Sequence, residues 1–274
     1  MSTHRFDTPR PVNLYVENGS GSVDVHADDT TETTVEVSGR RADEAIVTQD
    51  GDQITVVAPK SRSGLLGGDG RLDMVIGVPA GSTLAVRTGS ADVTCRGSYR
   101  AGKVKSGSGD VSIEILDGPA VVETGSGNVG IDTADQELRV KSGSGDVRVG
   151  YAGGPASIST GSGDVQIGTS AAPAVVKTGS GDLDVTESRD DVAMTTGSGD
   201  FLVRSASRGR LSAKGASGDV HVGVPAGVPV WTDVSTVSGQ IRSSLQGAGE
   251  PAEGADHVEL RAKVVSGDIV LTQV

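Results

Sequence analysis

The chain has 274 residues, a formal net charge of −12 and 41 glycines, but only two Phe, three Tyr and one Trp. The acidic balance disfavours general nucleic-acid binding, because phosphate contacts need a basic surface. A lone cysteine, Cys95, excludes an intramolecular disulfide, and no stretch approaches the ~20 apolar residues of a membrane helix.

Residues 1–11 read as an N-terminal tail. They carry Arg5, Asp7 and Arg10 and no long apolar run, which is not the pattern of a secretory signal. The expected compartment is the cytoplasm, without direct membrane insertion. Residues 12–81 read as a β meander that begins a larger architecture. Val12–Val16 alternates, Asn18-Gly19-Ser20-Gly21-Ser22 turns the chain, and Val23 and Val25 alternate with Asp24 and His26. Thr33–Val37 and Ile46–Thr48 follow, and Asp50-Gly51-Asp52 is a hairpin turn into Ile54–Val57. A glycine-rich loop with three basic residues and two leucines spans 60–71 and is a candidate contact loop. Leu72–Pro79 returns to strand, and Val78-Pro79-Ala80-Gly81 turns into the next segment.

From 82 to 223 the sequence repeats. Ser106-Gly107-Ser108-Gly109-Asp110-Val111 returns at Thr124, Ser142, Thr160, Thr178 and Thr196, after an imperfect copy at Thr88. Its acidic or amide position falls at Asp92, Asp110, Asn128, Asp146, Asp164, Asp182 and Asp200, a step of 18 residues, and then at Asp219. A fixed period of this length marks a solenoid. Eight and six residues before the acidic position stand apolar or small residues such as Leu138/Val140 and Ala174/Val176. One and three after it stand pairs such as Val147/Val149 and Leu183/Val185. Each set alternates with period two, the pattern of a half-buried strand. The expected fold is therefore an all-β, single-stranded parallel β-solenoid with two short strands per 18-residue coil. Gly-Ser-Gly is one corner, where glycine is expected to supply unusual backbone angles; a variable polar stretch is the other. Hexapeptide left-handed helices are excluded because the apolar pairs lie nine apart rather than six.

Residues 224–274 read as irregular coils and a cap. A second Val-Pro-Ala-Gly turn precedes Trp231, and an acidic small-residue loop spans 246–257. Val258–Ile269 is expected to close the open end of the stack.

Asn18–Val23, Val78–Gly81, the serial Thr-Gly-Ser-Gly-Asp-Val copies and Val264–Ile269 together resemble the bacterial putative-adhesin β-strand-repeat family, also called the toastrack domain, over residues 10–274. The resemblance implies a β-solenoid without established enzymatic activity, and a link to cell-envelope stress systems. It carries over no catalytic motif.

Candidate chemistry is sparse. The row Asp92, Asp110, Asn128, Asp146, Asp164, Asp182, Asp200 and Asp219 stacks like charges, which repel. The expected compensation is a backbone N–H from each residue's own corner, as in an Asx turn. A bound cation such as Ca²⁺ is the alternative, although the phrase occurs once per coil where calcium β-rolls need it twice. Gly125–Gly130 matches GxGxxG only formally, since a strand rather than a helix follows. The histidines are scattered, so neither a Ser-His triad nor a zinc cluster is supported. A carbohydrate-active enzyme would need paired carboxylates and aromatic platforms. No cofactor pattern is present. Cys95 occupies an apolar repeat position and reads as a buried structural thiol.

Outward positions before the corner hold Arg87, Lys103, Lys105, Arg139, Lys141, Lys177 and Lys214 against Glu123. Those after it hold the Asp row with Glu114, Asp132 and Asp184 against Arg96, Arg148 and Arg204. The two faces should differ in sign, and the basic one is the candidate interaction face for a protein partner or for self-association. The leading functional expectation is a non-catalytic binding or assembly scaffold.

Overall fold

A computed structural model describes residues 1–59, 70–245 and 256–274. The contact-loop expectation for 60–71 and the loop expected over 246–257 fall mainly outside the described residues. Compactness divides the chain into two units, Met1–Asp132 and Thr133–Val274, and the described residues contain strands and one short 3-10 turn.

The first unit contains β1 (Ser2–Asp7), β2 (Asn13–Asn18), β3 (Gly21–Asp28), β4 (Glu32–Ser38), β5 (Ile46–Asp50), β6 (Gln53–Val57), β7 (Leu72–Pro79), β8 (Thr83–Thr88), β9 (Asp92–Tyr99), β10 (Ala101–Ser106), β11 (Val111–Leu116) and β12 (Ala120–Thr124), and β13 (Val129–Ala134) ends it. Strands that run into the Gly-Ser-Gly corner form a leading sheet, β5-β6-β2-β8-β10-β12. Strands that leave it form a trailing sheet, β1-β4-β7-β3-β9-β11-β13. β2 and β3 do not pair as a meander. They lie parallel to β8 and β9, with Leu14 opposite Leu84 and Val23 opposite Val93, so the Asn18–Ser22 turn is already a coil corner. The hairpin at Gly51 (φ +57°) joins β5 and β6 as expected.

Residues 1–11 are not a simple tail. Ser2–Asp7 pairs antiparallel with β4, Phe6 lying opposite Thr33. The strand escaped the sequence reading because Phe6 is the only large apolar residue in its inward phase; Ser2 and His4 fill the other half-buried positions.

The second unit contains β14 (Leu138–Ser142), β15 (Val147–Ala152), β16 (Ala156–Thr160), β17 (Val165–Ser170), β18 (Ala174–Thr178), β19 (Leu183–Ser188), β20 (Val192–Thr195), β21 (Phe201–Ala206), β22 (Gly209–Ser217), β23 (Val220–Val224), β24 (Val230–Ser238), β25 (Ile241–Ser243), β26 (Val258–Ser266) and β27 (Ile269–Gln273). Its leading sheet runs β14-β16-β18-β20-β22-β26-β24 and its trailing sheet β15-β17-β19-β21-β23-β27-β25. All registers are parallel. Val140, Ile158, Val176, Met194, Ala213, Ala262 and Val234 form one inward row. Val147, Val165, Leu183, Phe201 and Val220 belong to another. The apolar positions read from the repeat are the core: Leu138, Val140, Val165, Leu183 and Val185 are buried.

Three details differ from expectation. First, the trailing strands run further than the repeat suggested. Their pairing skips one residue after Ile167/Val185 and resumes at Thr169/Glu187 and Ser170/Ser188. Leu116, Ala134, Ala152, Ser170 and Ser188 are thereby buried, although they fall in the stretch read as a polar corner. Buried Ser170 and Ser188 donate to the carbonyls of Ala172 and Asp190 at 3.0 and 2.9 Å, which satisfies them.

Second, the corner glycines of the regular copies lie outside the left-handed region of φ. Glycine is required by stacking instead. A Cβ built on Gly127, Gly163 or Gly181 would stand 2.1, 2.1 or 1.9 Å from the carbonyl oxygen of the glycine one coil earlier. The array's first copy has Ala91 at this position, and it follows the Asn18–Ser22 corner, where Gly21 sits at φ +113°.

Third, Val258–Ile269 does not close the end. β26 and β27 insert between β22/β23 and β24/β25, so the terminal coil is formed by residues earlier in the chain. The physical reason is apolar content. Val258, Leu260, Ala262 and Ile269 can be buried on both coil faces, whereas the inward phase of β24 alternates Val230 and Val234 with Thr232 and Thr236.

Cys95 is fully enclosed, and burial pushes its thiol pKa up to about 12. The nearby Tyr99 hydroxyl is also raised by burial; it donates to the carbonyls of Val25 and Arg96 at 3.0 and 2.8 Å. A thiol pKa raised on folding means that the native state holds its proton where the unfolded state has lost it. That contribution is complete below the unfolded value, ~8.5, and is lost as pH rises through about 12. Native protein at pH 8 is therefore expected to leave a thiol reagent unreacted until denaturant is added, and stability should fall between pH 9 and 12. Rapid labelling without denaturant would contradict this.

Candidate interaction face and the carboxylate ladder

The corner phrase builds two features. Its first residue, Ser or Thr, closes the turn in five copies, while the hydroxyls of Thr88 and Thr196 find no partner among the described residues. Ser106 and Ser142 donate to the carbonyls of Gly109 and Gly145, each at 2.8 Å. Thr124, Thr160 and Thr178 instead accept the N–H of Gly127, Gly163 and Gly181 at 2.8–3.0 Å. These five hydroxyls hydrogen-bond to the backbone of their own corner.

The acidic residue stands at the start of the trailing strand. The expected bond to its own corner is replaced by a bond to the next coil. Asp92 Oδ1 accepts the N–H of Asp110 at 3.0 Å, and Asp110 that of Asn128 at 2.7 Å. In the second unit, Asp146, Asp164, Asp182 and Asp200 accept the N–H of Asp164, Asp182, Asp200 and Asp219. Asp219 accepts from Asp268, and Asp268 from Gln240. An own-corner bond cannot serve because the corner's N–H groups are already used: Gly163 N–H goes to Thr160, and Gly161 N–H to Gly143. The ladder is a stacking device. Repulsion between exposed neighbours costs about 1 kcal/mol or less in water, while a hydrogen bond to a charged acceptor contributes ~1.5–3 kcal/mol. The bond outweighs the repulsion without a cation. Among the described residues no group of three or more His, Cys, Asp or Glu converges to hold a metal.

Beside the ladder of the second unit lies a shallow groove of ≈ 240 Å³, lined by Asp164, Asp182, Asp200, Asp219, Asp184, His221 and Leu202 among others. Arg204 pairs with Asp184 at 2.6 Å at its rim. Carboxylates dominate this face.

The opposite, leading sheet separates the seven predicted cations into two environments. In the first unit Arg87 and Lys105 share a cross-strand row with Glu17 and Glu123. Lys105 Nζ lies 2.5 Å from Glu123, and Glu17 accepts from the Tyr15 hydroxyl at 3.0 Å. Tyr15, Arg87, Lys103 and Lys105 line a recess of ≈ 360 Å³, and Glu17 and Glu123 stand beside Arg87 and Lys105 in the cross-strand row.

In the second unit the row five residues before each acidic position reads Lys141, Ser159, Lys177, Thr195, Lys214, Lys263 and Ser235 across seven strands. All seven are exposed, and none is a carboxylate. Strand spacing sets Lys141, Lys177 and Lys214 at intervals of roughly 10 Å. Arg139 stands one row away and pairs with Glu137 at 2.6 Å. Lys263 completes the row and was absent from the predicted face. Counting back five residues from Asp268 would have found it, as the same count from Asp219 gives Lys214. The irregular spacing between those two acidic residues hid the register.

The family described as Toastrack DUF4097 matches residues 12–272. No curated protein matches the chain. Among solved structures, one described as a putative adhesin from Bacteroides fragilis is 16% identical, with a TM-score of 0.45, covering 80% of this chain and 95% of its own. A putative adhesin from Parabacteroides merdae is 15% identical with a TM-score of 0.38, covering 100% and 95%. A putative lipid binding protein from Parabacteroides distasonis is 13% identical with a TM-score of 0.36, covering 100% and 96%.

Proposed function

The chain belongs to the Toastrack DUF4097 family, and from that premise we propose that it is a non-catalytic binding scaffold whose leading sheet docks an acidic protein surface. The observation that carries this reading is the exposed row Lys141, Lys177, Lys214 and Lys263, in which Ser159 and Thr195 separate the first three cations and Lys263 lies directly beside Lys214. On a protein of net charge −12, such a patch is conspicuous against its surroundings and favours anionic partners by long-range attraction. Small neighbours lie beside Lys141, Lys177 and Lys214, while Lys263 Nζ lies 3.9 Å from Asp233. The non-catalytic part is supported by the commitments of the hydroxyls and carboxylates. Ser142 and Thr160 close their turns, and the aspartates join coils.

A polyglutamate peptide is the simplest probe. Wild-type protein is expected to bind it at low ionic strength and to release it as salt approaches physiological screening, where the Debye length is ~8 Å. The triple variant Lys141→Glu/Lys177→Glu/Lys214→Glu should weaken binding at least tenfold with an unchanged circular dichroism spectrum. Lys105→Gln should have little effect, because Glu123 already holds Lys105. Equal binding by wild type and the triple variant would exclude the reading.

A further inference from the structure

The terminal coil of the second unit ends the stack with an open edge among the described residues. Among the described residues β24 pairs only with β26, and β25 only with β27. Trp231 is 65% exposed, Val237 84% and Ile241 50%. Val230 and Val234 are half-buried, whereas their register partners on β26, Val258 and Ala262, are fully buried. Soluble proteins usually blunt such an edge with proline, lysine, a bulge or a covering segment. β24 runs nine residues, with Asp233 as its one charge and no proline.

The ladder stops here as well. Asp268 accepts the N–H of Gln240 at 2.8 Å, but Gln240 has a longer amide side chain where the copies have Asp or Asn. Its Oε1 accepts from both Arg242 Nε, at 2.9 Å, and Arg242 Nη2, at 2.5 Å, which uses both lone pairs of the amide oxygen. A further coil running in the same direction would find no acceptor waiting for its corner N–H. The end is therefore not prepared for head-to-tail growth.

We propose that this edge is the interface of a twofold end-to-end dimer, in which β24 pairs antiparallel with β24 of a second copy. The sequence of the strand is self-complementary in one register. With Val234 opposite itself, Trp231 faces Val237 of the second copy, Thr232 faces Thr236, and Asp233 faces Ser235. Aromatic with β-branched and Thr with Thr are favourable cross-strand pairs, and no like charges meet. A twofold contact of this kind is isologous and closes at two copies. It also reverses the second copy, so the two corners do not stack and the ladder has no continuation to supply. The end of a two-sheet stack is small, roughly 10 Å by 30 Å, which places the contact at the weak end of specific interfaces. Association should be concentration-dependent.

Trp231 is the only tryptophan, so its emission reports this edge directly. Sedimentation over a concentration series is expected to show a monomer–dimer equilibrium, with Trp emission shifting to the blue as dimer forms. Val237→Lys, at a highly exposed position, should raise the dissociation constant at least tenfold without changing the melting curve. Cys95 is buried, so Val234→Cys supplies the only accessible thiol. Directly opposed antiparallel Cα atoms lie ~4.5–5.5 Å apart, within disulfide reach. Mild oxidation should join Val234→Cys chains into dimers, while Ser235→Cys, which faces Asp233 of the other copy, should stay monomeric. A wild-type protein that is monomeric throughout, with unchanging Trp emission, would overturn the proposal, as would a dimer indifferent to Val237→Lys. Unlimited growth would indicate head-to-tail stacking instead. Loss of the dimer in the triple lysine variant, with Val237→Lys silent, would move the contact to the leading sheet and also overturn it.

Discussion

Gly163→Ala is expected to destabilise the second unit by at least ~3 kcal/mol, placing it among the more damaging single substitutions. The new Cβ would stand 2.1 Å from Gly145 O, 2.6 Å from Gly145 C and 3.1 Å from Asp146 N. These are backbone atoms of the preceding coil and cannot swing aside. Separating the coils enough to admit a methyl group would stretch the Gly161 N–H to Gly143 O bond, now 3.0 Å, and the Asp164 N–H to Asp146 bond, also 3.0 Å. The contrast is Gly130→Ala, where nothing lies within 4 Å of the added atom. There the reduced freedom of the unfolded chain is the main effect, and stability should be unchanged or higher by ~0.4–1 kcal/mol. Urea unfolding followed by circular dichroism separates the two; similar midpoints would refute the stacking argument.

Phe201→Ala is expected to cost ~3–5 kcal/mol. Phe201 is 1% exposed and occupies the inward row between Leu183 and Val220. Its neighbours sit on strands fixed by ladder bonds on both sides, so the cavity cannot collapse easily. For a unit of this size the loss corresponds to a melting temperature lower by roughly 10 °C. Leu202→Ala removes a half-exposed side chain on the outward face and should stay within ~0.5 kcal/mol. If the two substitutions proved equal, the inward and outward assignment of β21 would be wrong.

The regular copies explain why so much of the architecture could be read early. Val147, Val165 and Leu183 recur at one interval, and that interval is the coil. Once the period is known, parity assigns Val149 inward and Arg148 outward without further information. Legibility failed where a residue's role depended on the neighbouring coil. Asp164 looks the same whether it bonds to its own turn or to Asp182, and only the stacked geometry shows the second. Gly163 reads as a residue that supplies an unusual backbone angle, yet its φ is not positive and the carbonyl of Gly145 is what excludes a side chain. β1 was invisible because one Phe in six residues gives no period.

The candidate face divides in the same way. Lys141, Lys177 and Lys214 follow from the repeat, since position five before each acidic residue is outward. Their difference from Arg87 and Lys105 follows from which residues lie across the strands, Glu17 and Glu123 in one unit and Ser159 and Thr195 in the other. Lys263 joined the row only when β26 was placed beside β22.

The sequence by itself determined the all-β class, the 18-residue coil and the inward rows. Those properties repeat along the chain, and a period can be counted. Tertiary structure alone decided the order of the last coils, in which Val258–Gln273 enters ahead of Val230–Ser243, because burial is won by the segment with the more apolar inward rows whatever its place in the chain. It also turned the Ser-Gly-Ser-Gly-Asp phrase from a corner into a joint. The glycine makes room for the carbonyl below, and the aspartate holds the N–H above.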